Sequence, residues 1–124
     1  MIDLLKEMFR EMVIKKDATL IPKYYHTELV LNTNGNIIKY QEFLDSHIKY
    51  YASSIEYKVE YDEDAWVVQN DKLAGRIFII TKKHGETEKK IEVILIAQYK
   101  DNKIIRVWEL TFPDWSAMPE FQNT

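Results

Sequence analysis

The 124-residue sequence has no cysteine, which excludes disulfides, zinc–thiolate sites, cysteine-held iron–sulfur clusters and cysteine nucleophiles. It has only three prolines and three glycines, so few positions interrupt regular elements, and long elements are expected. No stretch approaches 18 apolar residues, and charges interrupt the first 16 positions. We therefore expect no membrane contact and no secretory signal. Together these absences predict a cytoplasmic protein.

The charge balance argues against a nucleic-acid partner. Lys and Arg number 17 against 20 Asp and Glu, a net charge of -3, whereas nucleic-acid binding usually needs a basic face. The length suits a single domain over residues 1–124. Because the three histidines are scattered, we expect no metal site, and we expect no other cofactor.

Helical patterns occupy the first half of the chain. Apolar residues recur at helical spacing from Ile2 to Val13, and Asp17 is a candidate N-cap for a short second helix with Pro22 in its first turn. A third helix is predicted over residues 40–52. Its inward stripe is expected to contain Tyr40, Leu44, His47, Ile48 and Tyr51.

From Ser54 onward the apolar period changes to two, which predicts strands. Tight hairpins are expected at Asn70-Asp71, His84-Gly85 and Asp101-Asn102. The predicted fold class is therefore α+β. We expect a cone-shaped, curved antiparallel sheet of about four long strands plus a short one, with three N-terminal helices packed across the concave face.

Two further features concern the last strands and the end of the chain. The last strands are apolar on both faces, which predicts a homodimer through the sheet face away from the helices. Residues 113–124 contain two prolines and two aromatic residues and are expected to form an extended tail. That tail would close the cone or reach a partner subunit.

Tyr24–Gly35 ends in Asn-Gly, and the closing strand Asp101–Leu110 contains a Trp-Glu pair. These two segments resemble the nuclear-transport-factor-2-like superfamily, nearest its SnoaL-like branch. The resemblance covers essentially the whole chain. It implies a pocket for a small hydrophobic molecule on a fold that hosts isomerases, cyclases, epoxide hydrolases, dehydratases and non-catalytic binding proteins.

The resemblance also allows the known chemistries to be compared position by position. The general-base Asp of ketosteroid isomerases falls on Asn32, and an amide cannot accept the proton. Limonene epoxide hydrolases are similar at Arg76 and Glu109, but their second carboxylate falls on Phe78. Neither activity is therefore expected. SnoaL-type polyketide cyclases use an acid late in the sheet, where Glu109 could stand in for it.

Glu109 is the leading catalytic candidate. A two-residue Asp101-Asn102 turn would pair Ile94 with Glu109 and place the carboxylate among apolar side chains. Desolvation there would raise its pKa and suit it to acid–base chemistry near neutral pH. The alternative is a carboxylate at the rim, paired with a basic side chain.

Two charged residues could assist Glu109. In the same register Glu92 opposes Thr111, as a diagonal neighbour of Glu109. Arg76 is a second catalytic candidate, able to bind an anionic substrate or hold Glu109 ionised. A strict two-residue loop at His84-Gly85 puts Arg76 on the face opposite Glu109. One bulge would reverse that, and the similarity to epoxide hydrolases favours the reversal.

The candidate ligand-binding residues are mostly aromatic. Such side chains could line a pocket, although aromatic stripes more often form core or subunit interface. The set is His47, Tyr51, Trp66, Trp108 and Asn32. Two hypotheses follow: a cofactor-independent acid–base enzyme of the isomerase or cyclase type, or a non-catalytic ligand-binding or dimerisation module.

Overall fold

The computed structural model describes residues 1–115 and residue 118. The part of the predicted tail at residues 116–117 and 119–124 lies outside the described residues. None of the described helices has the length and apolarity needed to cross a membrane. Helix α1 is Ile2–Met8 and continues as a π-helical segment, Phe9–Ile14; a 3-10 turn, Ala18–Leu20, precedes α2, Ile21–Tyr24, and α3 is Tyr40–Tyr51.

The helix boundaries follow from local chemistry. The Asp17 side chain accepts a hydrogen bond from the Thr19 backbone N–H at 3.0 Å, so the predicted cap is confirmed. Pro22 lies in the first turn of α2, where its missing N–H costs no helical hydrogen bond. In α3 the buried residues are Phe43 and Tyr51, whereas Ile48 is 50% exposed. The predicted inward stripe was therefore wrong at Ile48 and missed Phe43.

Seven described strands form one curved sheet in the order β2-β1-β7-β6-β5-β3, with β4 paired to β5. The α+β class is confirmed, but the sheet is mixed rather than antiparallel, because β1 runs parallel to β7. The strands are β1 Tyr25–Thr33, β2 Asn36–Lys39, β3 Glu56–Tyr61, β4 Val67–Gln69, β5 Lys72–Lys82, β6 Lys89–Lys100 and β7 Lys103–Phe112.

The register between β6 and β7 differs from the predicted one by one residue. Lys100 pairs with Lys103 as expected, but the ladder shifts beyond Tyr99, and Glu109 consequently pairs with Leu95 rather than Ile94. Side chains alternate between the two faces of a strand. Because of this bulge, Leu95 shares the face of Glu109, whereas Ile94 lies on the opposite face.

The core lies between the helices and one face of the sheet, called here the inner face. Buried inner-face residues include Leu31, Ile77, Val93, Leu95 and Val107. The opposite, outer face exposes large apolar side chains from the two central strands β6 and β7. They are Ile94, Ile96, Trp108, Leu110 and Phe112.

Candidate functional site

A cavity of about 180 Å³ lies between the helices and the inner face of the sheet. Its wall is mostly apolar, with Met12 from the π-helical segment, Phe43 from α3 and Val93 from β6. Polar groups enter it from α3 and β7. They include Ser46, His47, Tyr50, Tyr51 and Glu109, while Tyr25, Tyr57 and Trp115 line the cavity from other elements.

Glu109 is an acid in an apolar wall. It lies on β7 next to the buried Val107 and opposite the buried Leu95. Desolvation raises the pKa of Glu109 to about 7, although a hydrogen bond with the Thr33 side chain acts in the opposite direction. Glu109 is therefore present in both protonation states near neutral pH, which a general acid or base requires.

The Thr33 hydroxyl connects Glu109 to the segment after β7. Thr33 is the parallel-strand partner of Glu109 and is fully buried. Its Oγ1 accepts a hydrogen bond from the indole Nε1–H of Trp115 at 2.8 Å, and Trp115 also lines the cavity. One side of the carboxyl site is thus built from β1, β7 and the chain that follows β7.

His47 lies in the cavity wall as a neutral imidazole. Burial lowers the pKa of His47 to about 4, although a hydrogen bond with the Phe43 carbonyl opposes that shift. Because a carbonyl only accepts, Nδ1, 2.8 Å from the Phe43 oxygen, carries the proton. Nε2 of the neutral ring is then an acceptor at neutral pH.

Several tyrosines also line the cavity. Burial raises the pKa values of Tyr25, Tyr51 and Tyr57, so these phenols stay protonated at neutral pH. The Tyr51 hydroxyl is buried and makes no hydrogen bond with the described residues. The predicted ligand-binding residues His47 and Tyr51 thus line the same cavity as Glu109.

Arg76 lies on the outer face and not in the cavity. It pairs with Ile94 on β6, and its guanidinium donates to Glu92 at 2.6 Å and to Asp62 at 3.1 Å. The expectation that Arg76 works with Glu109 was wrong, because the sheet separates the two side chains. The loop between β5 and β6 is longer than two residues, since pairing stops at Thr81 and Lys89.

Glu92 is likewise not a neighbour of Glu109. The bulge between β6 and β7 pairs Glu92 with Phe112, on the outer face, where it binds Arg76. The predicted diagonal pair of carboxylates was therefore wrong.

Trp108 and Asn32 also point away from the cavity. They are partners in the parallel β1–β7 ladder, one position before Thr33 and Glu109, and so project from the opposite face. The Asn32 side chain accepts a hydrogen bond from the Gly35 backbone N–H at 3.1 Å and closes the turn after β1. Their expected placement in the pocket was wrong.

Trp66 fills a different space on the inner face. Its ring covers Gly75, where an added Cβ would come within 2.5 Å of the ring. Its indole N–H donates to Glu63 at 2.9 Å, and Lys6 lies over the ring. Trp66 is packed against the core rather than lining the cavity, and it explains why β5 has a glycine there.

The described side chains contain no group of three or more His, Asp or Glu residues that could hold a metal ion. The chemistry available in the cavity is that of one carboxyl, one neutral imidazole, hydroxyls and apolar surface.

Among known proteins, this chain matches solved structures. No protein-family model matches the sequence, and no curated protein matches it. AclR from Streptomyces galilaeus has a TM-score of 0.71 at 14% identity, over 92% of this chain and 90% of that chain. A SnoaL-like polyketide cyclase from Agrobacterium tumefaciens has a TM-score of 0.69 at 15% identity, over 88% of both chains. The chain has the SnoaL-like fold.

A structure with a different activity also matches this fold. An LEH-like epoxide hydrolase from M. tuberculosis has a TM-score of 0.71 at 11% identity, over 85% of this chain and 77% of that chain. At such identities the similarity establishes the SnoaL-like fold and leaves the reaction to be argued from the cavity.

Sequence reasoning missed two residues of this candidate site, Thr33 and Trp115. Thr33 follows Asn32 by one position, so alternation along β1 would have placed it inward once Asn32 faced outward. No local signal pairs β1 with β7. Trp115 belongs to the segment that was expected to close the mouth of the cone, and its ring lies in the cavity wall.

Proposed function

We propose that the cavity binds a small, largely apolar molecule and that Glu109 exchanges a proton with it. The observation that carries this proposal is the position of Glu109 in the cavity wall, with a pKa raised to about 7 by desolvation. A general acid or base is most effective when its pKa lies near the working pH. The reaction class is cofactor-independent isomerisation or cyclisation.

The size and lining of the cavity support a proposal for the substrate class. A dry, apolar cavity of about 150 Å³ holds benzene. A cavity of about 180 Å³ therefore suits a compound with one or two small rings. We propose a ketone whose neighbouring carbon carries the mobile proton. The Glu109 carboxylate removes that proton to leave an enolate, and the resulting carboxylic acid returns the proton to the same or another carbon.

Hydrogen exchange at carbon tests this proposal without knowledge of the natural substrate. Small cyclic ketones are incubated with the protein in D2O, and loss of the α-proton signal is followed by 1H NMR. We expect at least one ketone to exchange faster with the wild type, and Glu109→Gln to lower that rate by about 10²–10⁴ fold. Glu92→Gln is the matched control, because Glu92 lies on the outer face. Exchange that survives Glu109→Gln would disprove the role of Glu109.

The second candidate function is a non-catalytic ligand-binding module. It is favoured by the absence of Arg76 and Glu92 from the cavity, which leaves Glu109 without a second charged group from β5 or β6. If ketones from the panel bind, as seen by line broadening of their signals, while none exchanges faster, this second function is the correct one.

We also propose that the outer face joins two copies of the chain. Leu110 is 67% exposed and Phe112 76% exposed, beside further apolar residues of β6. An exposed apolar patch of this kind is typical of an interface. In a symmetric dimer, each of the two subunits contributes the same patch to that interface. Light scattering at tens of micromolar should give a dimer mass, and Leu110→Lys should give a monomer. Ile14→Lys, in the π-helical segment, is the control and should leave the dimer intact.

A further inference from the structure

A series of hydrogen bonds leads from Trp115 to the Glu109 carboxyl. The indole N–H of Trp115 lies 2.8 Å from the Thr33 Oγ1, and the Thr33 hydroxyl hydrogen-bonds to Glu109. An indole N–H can only donate, so the Thr33 oxygen accepts from Trp115 and its own proton is directed to the carboxylate. The series therefore has a defined direction and favours the ionised form of Glu109.

A second set of contacts fixes the position of Trp115. The side chains of Asn34 and Thr111 are hydrogen-bonded, with Asn34 Nδ2 donating to Thr111 Oγ1 at 2.7 Å. The Thr111 backbone N–H donates back to Asn34 Oδ1 at 2.8 Å, and the Trp115 backbone N–H donates to Thr111 Oγ1 at 3.4 Å. The turn after β1 thus holds both the end of β7 and Trp115, which lies three residues beyond it.

We propose that Thr33 and Trp115 are positioning residues for Glu109, with Trp115 acting through Thr33. The inference rests on the proposed function and deepens it, because it names what orients the proton-transferring group. Thr33 is fully buried, so water cannot replace the indole as its donor without a rearrangement of the wall. Since Trp115 also lines the cavity, a bound molecule that contacts its ring would also contact the donor series.

The other titratable groups at the cavity wall do not interfere with a titration of Glu109. On α3, His47 has a pKa lowered to about 4 by burial, and burial raises the pKa values of Tyr50 and Tyr51. Burial also raises the pKa values of Tyr25 on β1 and Tyr57 on β3. Among the described lining residues, only Glu109 has a pKa near 7.

The test is a 13C NMR titration of glutamate carboxyl carbons in the intact protein. The Glu109 signal is the one missing from Glu109→Gln. Thr33→Val keeps the shape of the side chain and removes the hydroxyl. We expect it to raise the titration midpoint by about one pH unit, because a hydrogen bond to a charged group is lost. Thr33→Ser restores the hydroxyl and should return the midpoint to the wild-type value.

Trp115→Phe tests the second half of the series. It keeps an aromatic ring in the wall and removes the donor to Thr33, so we expect an upward shift smaller than that of Thr33→Val. In the double variant with Thr33→Val, Trp115→Phe should add no further shift. A wild-type midpoint in Thr33→Val overturns the proposal for Thr33. A wild-type midpoint in Trp115→Phe, or an additive shift in the double variant, overturns the proposal for Trp115. The NMR midpoint requires no turnover, so these outcomes are independent of whether the ketone-exchange experiment succeeds.

Discussion

Glu92 and Glu109 lie on neighbouring strands of one sheet and face opposite sides of it. On the outer face, Arg76 lies between Glu92 and Asp62, at 2.6 Å and 3.1 Å. On the inner face, Glu109 has a hydroxyl partner in Thr33 and is surrounded by apolar side chains, and its pKa rises to about 7. The same side chain is thus an ion-pair partner on one face and a proton-exchanging group on the other. The environment, not the residue type, decides between the two roles.

The largest expected effect is on the free energy of unfolding. It contrasts the truncation of two adjacent β6 residues whose side chains lie on opposite faces of the sheet. Leu95 is 5% exposed on the inner face, whereas Ile94 is 52% exposed on the outer face. Leu95→Ala should lower the free energy of unfolding by about 2–5 kcal/mol. Ile94→Ala should lower it by less than about 1 kcal/mol in the monomer.

Urea unfolding of both variants at several protein concentrations measures this contrast. A large cost for Ile94→Ala that grows with protein concentration would show that the outer face is buried between subunits. Equal costs at the lowest concentration would contradict the assignment of the two faces.

The next effect concerns the pH dependence of stability. The Glu109 pKa is about 7 in the folded protein against 4.5 as the ordinary value. The folded state therefore retains a proton that the unfolded state releases, so the wild type loses stability as pH rises from about 4.5 to about 7. Glutamine does not titrate. Glu109→Gln should consequently be more stable above pH 7 by about 1–3 kcal/mol, and the advantage should vanish toward pH 4.5.

Thermal melts from pH 5 to pH 8 measure this difference. Glu92→Gln is the matched comparison: it removes an ion-pair partner of Arg76 and should lower the melting temperature at neutral pH rather than raise it. A lower melting temperature for Glu109→Gln at pH 8 would mean that Glu109 is paired with a cation, and the binding-module function would then be preferred.

The smallest effect is the response to salt. Raising NaCl from about 0.05 M to about 1 M shortens the Debye length from more than 10 Å to about 3 Å and weakens exposed ion pairs. The stability difference between wild type and Glu92→Gln should therefore shrink. The NMR midpoint of Glu109 should not move, because desolvation, not a cation, causes its shift. A Glu109 midpoint that moves with salt would reveal a charged neighbour.

The sequence was sufficient to predict, for most elements, whether a segment is a helix or a strand. Alternation from Ser54 onward and the Asp101-Asn102 turn correctly predicted the last strands, and Val107 and Glu109 do share the inner face. The α3 helix was predicted to within one residue at its end. These features depend on neighbours along the chain, and local periodicity reports them directly.

The features that the sequence could not provide depend on distant residues. Ile105 is the extra residue of the bulge between β6 and β7, and nothing in its side chain marks it as such. That single residue moved Glu92 to the outer face and removed the predicted carboxylate pair. The pairing of Thr33 with Glu109 joins two strands at opposite ends of the chain, and no local pattern specifies such a partner.

The parallel contact between β1 and β7 has a consequence for how the protein folds. In the sheet order, β7 lies between the β2-β1 hairpin and the β6-β5-β3 group. Contacts between residues far apart in sequence require closure of a long loop and slow the folding of a domain. Without residues 103–112, the β2-β1 hairpin and the β6-β5-β3 group would have no strand between them. Because β7 both joins the two strand groups and carries Glu109, the wall that surrounds this carboxyl exists only in the completed sheet.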